Sequence, residues 1–254
     1  MSSTETLLAF HSVDAAYGPY KALFAVNLQV KRGTVVALVG ANGAGKSTVA
    51  RVASGLVRAT SGTVEFDGCD VTRTPAWKMA RLGVAHVPEG RSVFSTLTVE
   101  ENLLVAFRHS SVGRRGGTKA MSRVFESFPR LQERRKQPAG TLSGGEQRML
   151  AMARILAVPH KLLIADELSL GLAPVLVDEI YEMLGNVVSG GSSLLVVEQH
   201  LDKVTSIADQ VILIDQGEVK SQGTVEETRR AVAGIFGPDS GQPDSGQPGT
   251  GAST

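Results

Sequence analysis

An apolar run, Thr34 to Val39, leads into Gly40-Ala-Asn-Gly-Ala-Gly45-Lys46-Ser47 and then into a helix-forming stretch that reaches Ser54. Those eight residues constrain the fold tightly, because the pattern works in one setting: a buried strand, a tight glycine loop and the N-terminus of a helix. The glycines let backbone amides converge on an anion, and the helix end adds the positive pole of its dipole. Gly40, Ala41, Asn42, Gly43, Ala44 and Gly45 then form a phosphate cradle, with Thr48 just beyond it. Lys46 supplies a point charge for the β and γ phosphates of a nucleotide, and Ser47 an oxygen ligand for Mg2+. A plain glycine-rich turn with an exposed lysine is the competing reading, and it leaves the flanking strand and helix unexplained.

Elsewhere the apolar runs alternate with helical patterns. Lys161 to Ala165 and Ser193 to Val197 have the composition of buried strands, with a helix from Pro174 to about Val188 between them. Such alternation predicts an α/β fold whose parallel sheet is covered on both faces. Leu7 to Val13 and Ala22 to Val30, separated by the turn Tyr17-Gly18-Pro19, predict an antiparallel pair at the start. From about Glu89 to Ala157 the chain has the character of a mostly helical insertion. Thr98 with Glu101, and Ser143 with Glu146, each match a capping box. Within the insertion, Ser110 to Thr118 is rich in Gly, Ser and Arg and is expected to be a solvated surface loop. One domain is expected over 1–236, with the insertion at approximately 89–157. The tail, 237–254, carries Asp-Ser-Gly-Gln-Pro twice and one hydrophobic residue, Ala252, so it is expected to be disordered.

Bulk properties exclude several classes. A net charge of +1 over 254 residues argues against nucleic acid as a partner. The one cysteine, Cys69, excludes an internal disulfide and a cysteine-held metal, and is compatible with a reducing cytoplasm. Met1 to Leu8 lacks the basic-then-apolar order of a secretory signal. The longest apolar candidate for a membrane span, Leu162 to Val177, is broken by Asp166 and Glu167. Any membrane role is therefore expected to use a partner's helices.

Asp166 and Glu167 stand at the end of an apolar strand, where parallel sheets present ligand-binding groups. Asp166 is expected to hold Mg2+, through water, and Glu167 to orient or deprotonate an attacking water. A second anion site is available in Leu142-Ser143-Gly144-Gly145-Glu146-Gln147, which precedes a helix from Arg148 to Ala157. A Ser-Gly-Gly at a helix N-terminus offers a hydroxyl, unhindered amides and a positive dipole end. Taken alone, the same residues are equally an ordinary capping box.

With this hexapeptide the chain resembles the ATP-binding subunits of ABC transporters, from roughly Leu7 to Ile235. The resemblance implies a P-loop NTPase with a RecA-like parallel-sheet core, an N-terminal antiparallel β subdomain and an inserted helical subdomain. It implies Mg2+-dependent ATP hydrolysis in a head-to-tail dimer. Residues Leu142, Ser143, Gly144, Gly145, Glu146 and Gln147 of one subunit face the ATP held by the other subunit's cradle. Ser169-Leu-Gly-Leu-Ala173 matches the loop that crosses the dimer interface, and Leu168 replaces the usual proline, which should loosen that turn.

Tyr17 stands where the family places a ring on adenine; a core tyrosine beside a turn is the alternative. Glu89 replaces the glutamine that senses γ phosphate after the strand Val84 to Val87. With Val87 to Phe94 and Leu97 to Leu103, it is similar to the branched-chain amino acid uptake subfamily, in particular the shorter of its two ATPases. The histidine usual after the last buried strand falls on Gln199, with His200 one residue late, and either residue is left as the γ-phosphate contact. The implied partners are a second ABC ATPase, identical or different, two transmembrane permeases docking near Glu89 to Leu103, and, indirectly, an extracytoplasmic solute-binding protein. The implied location is peripheral, on the cytoplasmic face of the cell membrane. A soluble ABC ATPase of DNA repair or translation, and a P-loop kinase, are the rivals; the first is disfavoured by the single P-loop and the lack of heptads, the second by the signature hexapeptide.

Overall fold

The computed structural model describes residues 5–88, 93–108, 113–169 and 174–236. Two long strands open the chain, β1 (Thr6–Tyr17) and β2 (Tyr20–Lys31), joined through Gly18 at φ 58. They pair antiparallel, Phe10 opposite Leu28. Next come β3 (Val35–Val39), α1 (Lys46–Ala53), β4 (Ala59–Phe66), β5 (Cys69–Asp70), α2 (Ala76–Leu82) and β6 (Val84–Val87). The helical stretch comprises α3 (Val99–Arg108), α4 (Gly113–Ser127), α5 (Pro129–Glu133) and α6 (Gly144–Leu156). The chain then returns to strand and helix: β7 (Leu162–Asp166), α7 (Pro174–Ser189), β8 (Ser193–Glu198), β9 (Gln210–Asp215), β10 (Glu218–Gly223) and α8 (Val225–Phe236).

Two sheets result. The order β2-β1-β4-β5 makes an antiparallel sheet, and β10-β9-β3-β8-β7-β6 makes the central one. In the central sheet β9, β3, β8, β7 and β6 run parallel, and β10 joins the edge antiparallel to β9. Its strands are apolar on both faces because both faces are covered. Val36, Leu38, Ile164 and Val197 pack with α1 and the antiparallel sheet, while Val35, Ala37, Leu163 and Val196 pack with Ile180 and Leu184 of α7.

A third cluster belongs to the helical stretch. Val99, Leu103 and Phe107 recur at four-residue spacing along α3 and meet Met121, Val124 and Phe125 of α4 and Leu150 and Ala153 of α6. The capping box before α3 is formed: Glu101 Oε2 accepts from Thr98 N at 2.8 Å, and Thr98 Oγ1 accepts from Glu101 N at 3.2 Å.

The expected surface loop over Ser110 to Thr118 is corrected from Gly113 onward, because those residues form the first turns of α4. The apolar face that anchors this helix begins only at Met121, so the glycines and arginines ahead of it carry no pattern of their own. Ser110 to Val112, Glu89, Leu170 to Ala173 and the tail 237–254 lie outside the described residues.

Candidate nucleotide site

The register of the parallel strands brings the chemistry to one edge of the sheet. Val39, from which the glycine loop departs, pairs with Glu198, and Asp166 pairs with Val197. The cradle, the acid pair and the turn bearing Gln199 and His200 therefore leave from the carboxyl ends of three adjacent strands, the side on which open α/β sheets bind ligands.

Different glycines of the loop serve different ends. Gly40 allows close approach: a Cβ there would sit 2.2 Å from the carbonyl oxygen of Ile214 in β9. Gly45 precedes α1 at φ 104, a left-handed conformation, and provides no side-chain cap, which leaves the first amides of the helix for an anion. The loop is braced from below, because Gly217 N donates to Ala44 O at 2.9 Å from the turn between β9 and β10. Ala41, Asn42 and Gly43 are exposed, and Ala44 and Thr48 are buried.

Lys46 is 3% exposed. Its Nζ donates to Ala41 O at 3.0 Å and lies 3.3 Å from Glu167 Oε1. A buried ammonium persists only with such partners. Ser47 Oγ donates to Asp166 Oδ1 at 3.2 Å. A hydroxyl and a carboxylate at the head of a phosphate-binding helix are hard oxygen donors, few in number, which matches the way Mg2+ is held between protein and nucleotide phosphates. Lys46, Ser47 and Glu167 border a cavity of about 400 Å³ that also touches Lys21, Phe24 and Gln216; of the described residues lining it, none comes from 142–147.

Glu167 adopts φ 48, a left-handed backbone unusual for a residue with a side chain. Three bonds fasten the turn it begins. Glu167 N donates to Val197 O at 2.9 Å, Arg148 Nη1 to Leu168 O at 3.3 Å, and Ser169 N to Glu198 Oε1 at 3.2 Å. Leu168, where the family has proline, is buried, and packing and Arg148 brace it.

The hexapeptide sits on the other packed body. Ser143 is the N-cap of α6 with both halves of the box made: its Oγ accepts from Glu146 N at 3.3 Å, and Glu146 Oε2 accepts from Ser143 N at 2.9 Å. Donation by the Ser143 amide holds the Glu146 carboxyl below its ordinary range. The box uses the serine oxygen only as an acceptor, so the hydroxyl proton is left to donate outward, and Ser143 and Gly144 are exposed. Capping and anion binding are thus compatible. Gln147 is buried and donates to Leu142 O at 3.0 Å, so it supports the loop and does not face solvent.

Tyr17 is 40% exposed, and its hydroxyl accepts from Arg51 Nη1 at 3.2 Å, which excludes a core tyrosine. Gln199 and His200 are both exposed; Gln199 directly follows the residue paired with Val39, and His200 directly precedes the short turn Leu201–Lys203 without a side-chain cap. The residues missed by sequence reasoning are Arg148, Tyr181, Glu198, Lys203 and the Gln216-Gly217 turn. None belongs to a short motif, and their partners lie far along the chain.

A glycine cradle with a lysine at the head of α1, and an acid pair ending a neighbouring parallel strand, define a P-loop nucleoside triphosphatase. Residues 23–169 match the family model described as ABC transporter. The chain is 41% identical over 218 residues to the high-affinity branched-chain amino acid transport ATP-binding protein BraG of Pseudomonas aeruginosa, covering 86% of this chain and 93% of that one. It is 34% identical over 216 residues to the probable branched-chain amino acid transport ATP-binding protein LivF of Archaeoglobus fulgidus, covering 85% and 91%. A solved structure of an ATP binding subunit of an ABC transporter superposes with a TM-score of 0.80 at 26% identity, covering 89% of this chain and 93% of that chain. The chain belongs to the ABC transporter family, as one of its ATP-hydrolysing subunits. Among the described residues no helix is long and apolar enough to cross a membrane.

Proposed function

We propose that this chain drives an importer of branched-chain amino acids, or of chemically similar small organic solutes, by binding and hydrolysing ATP on the cytoplasmic face of the cell membrane. The observation that carries the reading is the division of phosphate-binding groups between two packed bodies. Lys46, Ser47 and Glu167 converge on one cavity, while the capped, exposed Ser143 stands outside it in the same chain. A second ATPase subunit, identical or related, then brings its own Ser143 helix to this cradle, and two-fold pairing makes two such sites. Two permeases dock near Glu89 to Leu103, and an extracytoplasmic binding protein delivers the solute to them.

In this scheme the amides of Gly40 to Gly45 and the ammonium of Lys46 bind the ATP phosphates, and Tyr17 carries adenine. Ser47 and Asp166 would hold Mg2+, which would supply charge neutralisation on the nucleotide phosphates. Lys46 exchanges its contact with Glu167 for phosphate, which frees that carboxylate to accept a proton from water. Gln199 or His200, together with Glu89, faces the γ phosphate. The signature of the partner completes the shell, and cleavage separates its donors from those of the cradle, so the interface weakens. Residues 1–236 act as one ATPase domain with its helical insertion at about 89–157, and 237–254 lies outside it.

Replacing the base tests this directly. Glu167→Gln is expected to bind ATP normally, to lose turnover by at least about 100-fold and to lengthen the life of the ATP-bound dimer. Wild-type hydrolysis by purified Glu167→Gln protein would remove Glu167 from the role of base.

A further inference from the structure

Behind the cradle lies a carboxylate that the scheme above does not use. Glu198, the last residue of β8, is 2% exposed. Its Oε1 accepts from Tyr181 Oη at 2.8 Å and from Ser169 N at 3.2 Å, and its Oε2 accepts from Ser169 Oγ at 3.0 Å. Lys203 Nζ donates in turn to Ser169 Oγ at 2.9 Å. Among the described residues no cation lies within ion-pair distance of Glu198, and these three donors satisfy the buried carboxylate. The Tyr181 hydroxyl remains a donor, because burial first, and then the charge of Glu198, push its ionisation well above the ordinary range.

The four residues belong to four segments of the chain. Ser169 closes the turn begun by Glu167, Tyr181 projects from α7, Lys203 ends the short turn after His200, and Glu198 directly precedes Gln199. A non-glycine residue with the backbone of Glu167, φ 48, persists only where its surroundings over-determine it. The Ser169 amide bonded to Glu198 is the far anchor of that turn, and the Glu167 amide bonded to Val197 is the near one.

We propose that Glu198 is a positioning residue for hydrolysis: through Ser169 and Tyr181 it holds the 167–169 turn, and so the Glu167 carboxylate, in the place that water activation requires, and it fixes the strand end from which Gln199 projects. This rests on the assignment of Glu167 as the base. Glu198 does not line the cavity that Lys46, Ser47 and Glu167 border. Its effect is on the geometry of the step and not on the affinity of the cradle.

The test compares Tyr181→Phe, Ser169→Ala and Glu198→Gln with Glu167→Gln, reading kcat, KM for ATP, equilibrium ATP binding and thermal midpoint for each. Tyr181→Phe and Glu198→Gln are expected to lower kcat by about ten- to a hundredfold with KM and ATP affinity within about twofold of wild type, because small misplacement of a catalytic group acts on the chemical step. Ser169→Ala keeps its amide donor and is expected to lose less. The double variant Tyr181→Phe with Glu198→Gln is expected to be little worse than the poorer single variant, since both changes act on the same hydrogen-bonded cluster. A wild-type kcat in Tyr181→Phe and Glu198→Gln, with only the thermal midpoint lowered, would overturn the proposal. Should Glu198→Gln not fold, Tyr181→Phe decides, for it removes one hydroxyl and no packing volume. An inactive Glu167→Gln beside a fully active Tyr181→Phe would sink the positioning role alone; a fully active Glu167→Gln would sink the base assignment and this proposal with it.

Discussion

Lys46 Nζ and Glu167 Oε1 lie 3.3 Å apart, so phosphate binding at Lys46 exchanges one anionic partner for another and does not merely fill a space. The motif residues were legible because each carries a chemical task that spacing alone reveals. Gly40 was legible as an anion-binding glycine, yet its tightest constraint is the Ile214 carbonyl beneath it, 2.2 Å from any Cβ, which lies far along the chain. Gly40→Ala is accordingly expected to cost about 1–3 kcal/mol in thermal unfolding through overpacking, and to weaken ATP binding as the loop shifts. Unaltered stability and affinity in that variant would mean the loop yields freely. His86 gives a second residue-scale expectation. Burial, and then the Arg51 guanidinium, lower its pKa from 6.5 to about 4, and its Nδ1 lies 3.1 Å from the Ser54 hydroxyl. The folded chain thus takes up this proton later than the unfolded chain does. The stability it contributes is complete above pH 6.5 and is lost as pH falls toward about 4. The loss is expected to be on the order of 2 kcal/mol, and urea midpoints of His86→Gln should show a flatter acid limb than wild type. An equally steep limb in the variant would assign the loss to other groups.

Among the elements, those with strong periodicity or punctuation could be anticipated: the first two strands around Gly18, the strands on either side of α7, and the capped starts of α3 and α6. The start of α4 could not, because the sequence from Gly113 to Thr118 has no apolar face, and the helix there is imposed by burial of Met121, Val124 and Phe125 further on. The antiparallel edge strand β10 escaped for a related reason: its sequence alternates exposed and half-buried positions and lacks the apolar run of its neighbours. The helical cluster makes an element-scale prediction. Leu103 is fully buried between α3, α4 and α6. Leu103→Ala is expected to destabilise the chain by about 2–5 kcal/mol and to lower turnover by disturbing the helix that bears Ser143, while ATP affinity at the cradle changes little. Equal loss of ATP binding and turnover would show that the two bodies are not packed independently.

At the scale of the whole molecule, the sheet aligns the exits of β3, β7 and β9, which is why Lys46, Glu167 and Gln216, from three distant parts of the sequence, share one cavity. Alternating strands and helices made the parallel sheet readable in the sequence. The buried link of Glu198, Ser169, Tyr181 and Lys203 was not, since a lone glutamate and a lone tyrosine 17 positions apart carry no recognisable pattern until the fold closes. The central claim is that each ATP is held by the cradle of one molecule and the Ser143 helix of another. Mixing two inactive chains, Lys46→Ala and Ser143→Arg, tests it most directly. Half of the randomly formed dimers then carry one intact site composed of the unmutated cradle and the unmutated signature, so the mixture should recover about a quarter of the wild-type ATPase rate. A mixture that stays as inactive as either variant alone, under conditions in which the wild-type chain hydrolyses ATP, would contradict a site shared between molecules.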